Sequence, residues 1–321
     1  MDADCKQEGC VKQTTVVSQT ETCKVIDCGI EGRAMITGYD LFDGIRLYFY
    51  DIDTADVIAG PSNHPDIVQI TYCREGRYEC EFPDRKVSYL PKGAFGVASG
   101  DYLPVSFSFP LKRCEAVSIV IDKQKLSEST RKVFAAVPID PDRVGDNLGI
   151  EGRWYVKQAP RKIEKLFYEL YEGKGCERIG YFKIKTVELL YQLEQMHQLK
   201  GCDFKYFDRE QVNAVKEIIL HLEKHLDEKK TLESLVKQSS LSLSVFHHIF
   251  GNVYGETPYA YLKKYKMELA ADRIMEGDKK IGEVALEVGY SNASKFAKAF
   301  ESVYGMLPKD YRKQKKESSG F

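Results

Sequence analysis

Over the last hundred residues apolar positions recur at helical spacing, and the pattern occurs twice. A displacement of 50 positions lays Phe246 on Phe296, Phe250 on Phe300, Tyr254 on Tyr304, Gly255 on Gly305, Pro258 on Pro308 and Tyr261 on Tyr311. A displacement of 49 extends the match upstream, with Leu232 on Ile281, Leu235 on Val284, Val236 on Ala285 and Ser242 on Ser291, so the copies differ by one residue in a turn. In the second copy Ile281, Val284, Ala285 and Val288 share a helical face. Gly289 ends that helix, Ser291 or Asn292 caps the next, and Phe296, Ala299 and Phe300 form its apolar face. The first copy runs Leu232, Leu235 and Val236, then Ser242 as N-cap, then Phe246, Ile249 and Phe250, with a bulkier Val236 and no glycine in its turn. Two helices joined by so short a turn, with small Ala285 near the crossing, predict a helix-turn-helix. Between the copies Pro258 opens a helix reaching about Met275, striped by Leu262, Tyr265 and Leu269 and some 27 Å long. Two second helices held on such a rod would enter successive major grooves, which recur about every 34 Å.

Upstream the period changes. Short alternating runs at Ile67 to Cys73, Tyr78 to Phe82, Lys86 to Leu90, Ala94 to Ser99, Val105 to Phe109 and Ala116 to Ile121 predict strands of a small antiparallel barrel or jelly roll, with a hairpin turning at Glu75-Gly76. After Pro160 two helical patterns follow, Ile163 to Tyr171 and Ile184 to about Leu199, which either cover the barrel or, for the second, form a dimer interface. Gly201 to Phe207 reads as a linker and Arg209 to Leu226 as a helix. The expected organisation is α+β: an arm at 1–40, a barrel at 41–128, a helical dimerisation region at 129–203, and an all-α domain at 204–321.

The composition, 43% hydrophobic and 30% charged over 321 residues, suits globular domains. No apolar run approaches the roughly 18 residues of a membrane span, and Met1 to Val11 lacks a signal pattern, so a cytoplasmic location without membrane partners is expected. Net charge is −1, but from residue 204 onward 20 Lys and Arg stand against 17 Asp and Glu, a mild basic excess. Nine cysteines without a secretory signal read as reduced thiols. Cys5, Cys10, Cys23 and Cys28 could supply four thiolates to a zinc ion, but their spacing is looser than a zinc knuckle and free thiols are the expectation. Cys73 and Cys80, flanking the expected hairpin turn, are read as buried thiols.

In a helix-turn-helix the second helix offers its N-terminal, outward side chains to base edges. Away from the Phe246 and Phe250 face these are Leu243, Ser244, His247, His248 and Asn252. In the second copy they are Ala293, Ser294, Lys295, Lys298 and Glu301. Lys donates to guanine, Ser and neutral His donate or accept, and Leu or Ala can touch a thymine methyl. Phosphate contacts are expected from helix N-termini at Thr231, Ser242, Ser291 and Asn292, and from Lys263 and Lys264, which with Lys266 form a basic turn on the connecting helix that reads equally as a solvated face. The phenylalanine stripe is core.

The stretch Ile281-Gly-Glu-Val-Ala-Leu-Glu-Val-Gly-Tyr-Ser-Asn-Ala-Ser-Lys-Phe-Ala-Lys-Ala-Phe, followed by Tyr304-Gly305, Pro308 and Tyr311-Arg312, resembles the paired helix-turn-helix domain of the AraC/XylS family of transcription regulators. The resemblance covers about Leu232 to Arg312. It implies base-reading positions at Ser244, His247 and His248 in the first unit and at Ala293, Ser294, Lys295 and Lys298 in the second. Two residues depart from the family pattern: His248 replaces a common Arg or Lys, and Lys280 replaces a Ser or Thr cap.

The resemblance further implies a cupin-like sensor barrel for a small-molecule effector, a homodimer, promoter DNA as partner, and contact with RNA polymerase. Metal cupins use His-x-His and a Glu. The corresponding stretch, Asn63-His64-Pro-Asp-Ile-Val-Gln69, keeps a single His, so no metal, no cofactor and no catalytic residues are expected. The alternatives are a ligand-independent regulator controlled by a protein partner, and a cupin-type enzyme fused to a DNA-binding module.

Overall fold

The computed structural model describes residues 15–318 apart from 29–31, 55–56, 61–64, 101, 148–153, 176–177, 197–204, 227–230 and 278. Two compact units result, Met1–Arg209 and Glu210–Phe321. The fold is α+β, with a curled β half-barrel in the first unit and helices alone in the second.

The strands of the first unit are β1 (Thr15–Gln19), β2 (Cys23–Asp27), β3 (Arg33–Phe42), β4 (Ile45–Asp53), β5 (Ile58–Ala59), β6 (Ile67–Glu81), β7 (Lys86–Pro91), β8 (Ala94–Ser99), β9 (Ser106–Ser108), β10 (Arg113–Asp122), β11 (Tyr155–Gln158) and β12 (Phe207–Asp208). They pair in the order β1-β2-β3-β4-β10-β6-β7-β12, while β8 joins β6 to β11 and β9 joins β6 to β5. Its helices are α1 (Glu128–Ala135), α2 (Val144–Asn147), α3 (Arg161–Glu172) and α4 (Ile179–Glu194).

Alternation along β4 assigns the two faces of the sheet. Ile45, Leu47 and Phe49 are fully buried on one face, and Arg46, Tyr48 and Tyr50 lie on the other. The first face is covered by α3 and α4: Phe167 stacks on Tyr72 with ring centroids 4.8 Å apart, and Phe182 packs on Tyr39 and Phe49. Asp51 ties α3 down. It accepts the Tyr171 hydroxyl at 2.7 Å and pairs with Lys174. Burial opposes its charge, but these donors outweigh burial and hold the carboxyl below its usual range.

On the helix-free face the strand register aligns Tyr48, Ser118 and Thr71 in one row and Ile36, Tyr50, Ala116 and Cys73 in the next. Buried Gln69 donates to Thr71 Oγ1 at 3.2 Å, and the Thr71 and Ser118 hydroxyls are 2.7 Å apart. Burial pushes the Tyr50 hydroxyl well above its ordinary pKa.

Three sequence expectations change. The stretch 1–40, expected as an arm, supplies β1, β2 and most of β3 to the sheet; β1 is exposed along its whole length and so carries no alternation to read. No hairpin turns at Glu75-Gly76. β6 continues through it because β10 and β8 flank its first half while β7 and β9 flank its second, and Arg74 becomes the extra residue of a bulge against β10. Cys73 and Cys80 are therefore buried on one continuous strand. The expected linker 201–207 ends inside the sheet, since Phe207 pairs with Val87 and packs on Tyr89; residues 201–204 lie outside the described ones.

Cys5, Cys10, Asn63 and His64 also lie outside the described residues, whereas Cys23 is half-buried on β2 and Cys28 is buried just beyond it. Among the described residues no group of three or more His, Cys, Asp or Glu is placed to hold a metal ion, and no helix is long and apolar enough to cross a membrane.

Candidate nucleic-acid interface

The second unit is built from α5 (Arg209–Lys224), α6 (Leu232–Gln238), α7 (Leu243–Tyr254), α8 (Pro258–Glu276), α9 (Ile281–Glu287), α10 (Ala293–Tyr304) and α11 (Pro308–Ser318). The pairs α6/α7 and α9/α10 are the two helix-turn-helix copies, joined by the 19-residue α8.

Local chemistry sets each start and stop. Thr231 caps α6 by accepting from the Ser234 N–H at 3.2 Å, and Ser242 caps α7 by accepting from Val245 at 3.3 Å. Thr257 caps α8, with Pro258 in its first turn. For α10 the cap is Asn292, not Ser291: its Oδ1 accepts from the Lys295 N–H at 3.0 Å. Gly255 and Gly305 end α7 and α10 in the left-handed conformation, with φ of 81° and 71°. Replacing Thr231 or Asn292 by Ala is expected to lower the melting stability of this unit by about 1 kcal/mol each, read by thermal unfolding. A change near zero would show that the cap does not hold in solution.

The turns differ as the one-residue offset requires. In the second copy Gly289 supplies a φ of 79°. In the first, Ser239 replaces it chemically, donating its hydroxyl to Val236 O at 2.8 Å while accepting from Leu241 N–H at 3.2 Å. Lys280 provides no cap for α9, but the Glu283 carboxylate accepts from its backbone N–H at 2.8 Å, which supplies the reciprocal half of a capping box.

Behind the recognition helices the same rings recur. Phe250 meets Tyr254 at 4.5 Å and Tyr261 at 5.7 Å; Phe300 meets Tyr304 at 4.6 Å and Tyr311 at 5.4 Å, the contacts with Tyr261 and Tyr311 being edge-on. Phe246, Phe250, Phe296 and Phe300 are fully buried. Val284, Ala285 and Val288 of the second copy share a core with Met267, Ala270, Ala271 and Ile274 of α8. Tyr261 also donates its hydroxyl to Glu223 at 2.8 Å, fastening α8 to α5.

The outward faces are what remains. Ser244, His247 and His248 on α7, and Ala293, Ser294, Lys295 and Lys298 on α10, are all exposed. Leu243 is exposed at the start of α7, whereas Asn252 is turned back to donate to His248 O at 2.8 Å. Of the expected phosphate contacts, Thr231, Ser242 and Asn292 cap helices and Ser291 is exposed beside the α10 N-terminus. The Ser242 hydroxyl and the Asn292 amide still have a donor to spare, whereas the Thr231 hydroxyl is engaged with the Glu233 carboxylate. Lys263 is half-buried, and Lys264 is paired with Glu256 at 2.9 Å. Lys266, read with them as part of a basic turn, instead lies over the Tyr290 ring at 5.7 Å, and burial lowers its pKa.

The sequence profile of the family described as "Helix-turn-helix domain" matches residues 235–314, which span both copies. Curated relatives matching this region include a putative AraC-like transcription regulator of Streptomyces lividans, 36% identical over 26% of this chain and 27% of its own length. Residues 235–314 are a helix-turn-helix domain similar to that of this AraC-like regulator. A probable transcriptional regulator, LumQ of Photobacterium leiognathi, is 32% identical over 33% of this chain and 44% of its own. The regulator AlkR of Acinetobacter baylyi is 37% identical over 26% of this chain and 28% of its own. The match thus spans less than half the length of these relatives. Among solved structures, ToxT from Vibrio cholerae aligns over 84% of this chain and 98% of its own at 11% identity, with a TM-score of 0.32. The matched residues run from within α6 into α11 and include both turns.

Proposed function

We propose that this chain binds double-stranded promoter DNA through α7 and α10 and regulates transcription, controlled by a small organic molecule on the helix-free face of its half-barrel. The observation that carries the DNA reading is the division of each recognition helix into a buried aromatic side and an exposed side bearing Ser244, His247 and His248 or Ala293, Ser294, Lys295 and Lys298. α8 is about 28 Å long at 1.5 Å per residue, a spacer commensurate with the major-groove repeat. Relatives of the domain are named as transcriptional regulators. The spare donors at Ser242, Ser291 and Asn292, with the α6 N-terminus at Thr231 and with Lys263 and Lys264, would hold phosphates, and the readers would face base edges.

The effector reading rests on the neutral hydrogen-bonding groups Gln69, Thr71, Ser118, Tyr48 and Tyr50, which occupy three adjacent rows of one sheet face. A homodimer through α4 fits the exposure of Ile184 and Tyr191 on a helix whose other side is buried.

Duplexes enriched from a random pool by the wild-type chain provide the test. Replacing Lys295 and Lys298 together by Ala should weaken binding to them by roughly 10- to 100-fold and lower the slope of log affinity against log salt by up to about 2. Failure of the wild-type chain to enrich any duplex would overturn the DNA reading.

A further inference from the structure

Strand β6 has two ends with different duties. Its first half carries Gln69 and Thr71 on the helix-free face, bonded to each other and to Ser118. Beyond the bulge, its second half carries Glu79 and Glu81. Glu79, with no exposed surface, accepts from Arg209 Nη1 at 2.8 Å and from the Ser108 hydroxyl at 2.8 Å. Glu81 accepts from Arg209 Nη2 at 2.7 Å and from Ser106 at 3.1 Å. One guanidinium thus spans two carboxylates of the same strand in the planar fork geometry that lysine cannot reproduce.

Arg209 is the last residue of the first unit and the first of α5. The residues leading to it are also fastened. The Tyr206 hydroxyl accepts from the Trp154 N–H at 3.0 Å, Phe207 and Asp208 pair with Val87 and Lys86, and the Arg209 N–H donates to Arg85 O at 3.1 Å. A Lys86–Asp208 ion pair at 2.5 Å closes the set. Residues 206–209 therefore form a strap woven into the sheet, with a buried charge pair as its buckle. Such a pair is either made or broken, because a buried carboxylate left without its cation is strongly unfavourable.

We propose that β6 is the coupling element of this protein: a displacement at Gln69 and Thr71 is carried along the strand to Glu79 and Glu81, and Arg209 passes it to the start of α5. Arg209 is a positioning residue that sets where α5 begins, and α5 in turn is bonded to α8 through Glu223 and Tyr261. The input at the helix-free face rests on the effector reading above; the coupling along β6 does not. β6 is paired on both edges on either side of its bulge, and packed interiors of this kind shift between discrete arrangements rather than deforming continuously.

The test uses the full chain without any ligand and reads amide hydrogen exchange of residues 207–209 by mass spectrometry. The variants are Thr71→Val, which removes the hydroxyl between Gln69 and Ser118 at constant volume, Arg209→Gln, which opens the buckle, and both together. Arg209→Gln should speed exchange in the strap by roughly tenfold or more, while amides of α7 and α10 keep their wild-type protection. Thr71→Val alone should speed it several-fold, and in the double variant it should add nothing beyond Arg209→Gln. Arg209→Lys should restore only part of the protection. Unchanged strap exchange in Thr71→Val, or effects of the two changes that multiply independently, overturns the coupling. Should Thr71→Val fail to fold, Gln69→Met on the same face takes its place with the same two outcomes. A wild-type chain that binds no small molecule on this face would remove the proposed input and leave the result of this cycle unaltered.

Discussion

Replacing Phe300 by Ala should destabilise the second unit by about 3–5 kcal/mol, enough to melt α10 near room temperature. The ring is fully buried and touches Phe296, Tyr304 and Tyr311, while its core partners come from α8 and α9. Its removal takes the common wall from three helices at once. Phe250→Ala should cost a similar amount, since its ring meets Phe246, Tyr254 and Tyr261 in the same way. Urea unfolding followed by hydrogen exchange in α7 and α10 would read both. A loss under 1 kcal/mol in either variant would mean that the site collapses around the gap and that the ring cluster is not the anchor.

Gly76→Ala is the second change with a large expected effect. Its φ is 79°, and a Cβ placed there would lie 1.8 Å from the carbonyl oxygen of Arg113 on β10. Backbone strain of order 1–3 kcal/mol adds to a collision that only separation of two central strands can relieve, so the half-barrel should lose about 3 kcal/mol or more. Gly305→Ala is the control. It has a similar φ of 71° but open space around the position, so its cost should stay near 1 kcal/mol. Thermal unfolding of the two variants separates collision from conformation: equal losses would show that contact with Arg113 contributes nothing.

Gly76 also shows where sequence reading stops. A glycine after Glu75 between two apolar runs is compatible with a hairpin turn and with a bulge in one long strand, and local chemistry is the same for both. What decides is pairing with β8, β9 and β10, partners distant in sequence. The helix-turn-helix copies were legible for the opposite reason. Their cores are built from residues within each copy and from α8 beside them, so Phe246, Phe250, Tyr254 and Tyr261 and their counterparts leave a spacing that can be seen directly. Lys266 could not be read from spacing, because its neighbour Tyr290 belongs to the other copy's turn. The strap was hidden in a short polar stretch whose anchors, Glu79 and Glu81, lie far upstream in the chain. A signal was available in hindsight, since Tyr206 and Phe207 are adjacent aromatics in a segment otherwise suited to a linker.

The duplicated ring cluster separates two properties that proteins often entangle. The rings that hold α7 and α10 in place point inward, and the exposed side chains Ser244, Ala293, Ser294, Lys295 and Lys298 lie outside that core, whereas His247 meets Phe246 edge-on with ring centroids 5.8 Å apart. Outward positions apart from His247 can therefore be exchanged between the copies with little cost in folding. The two halves of a binding site are thus free to diverge independently, by substitutions that selection on stability does not see.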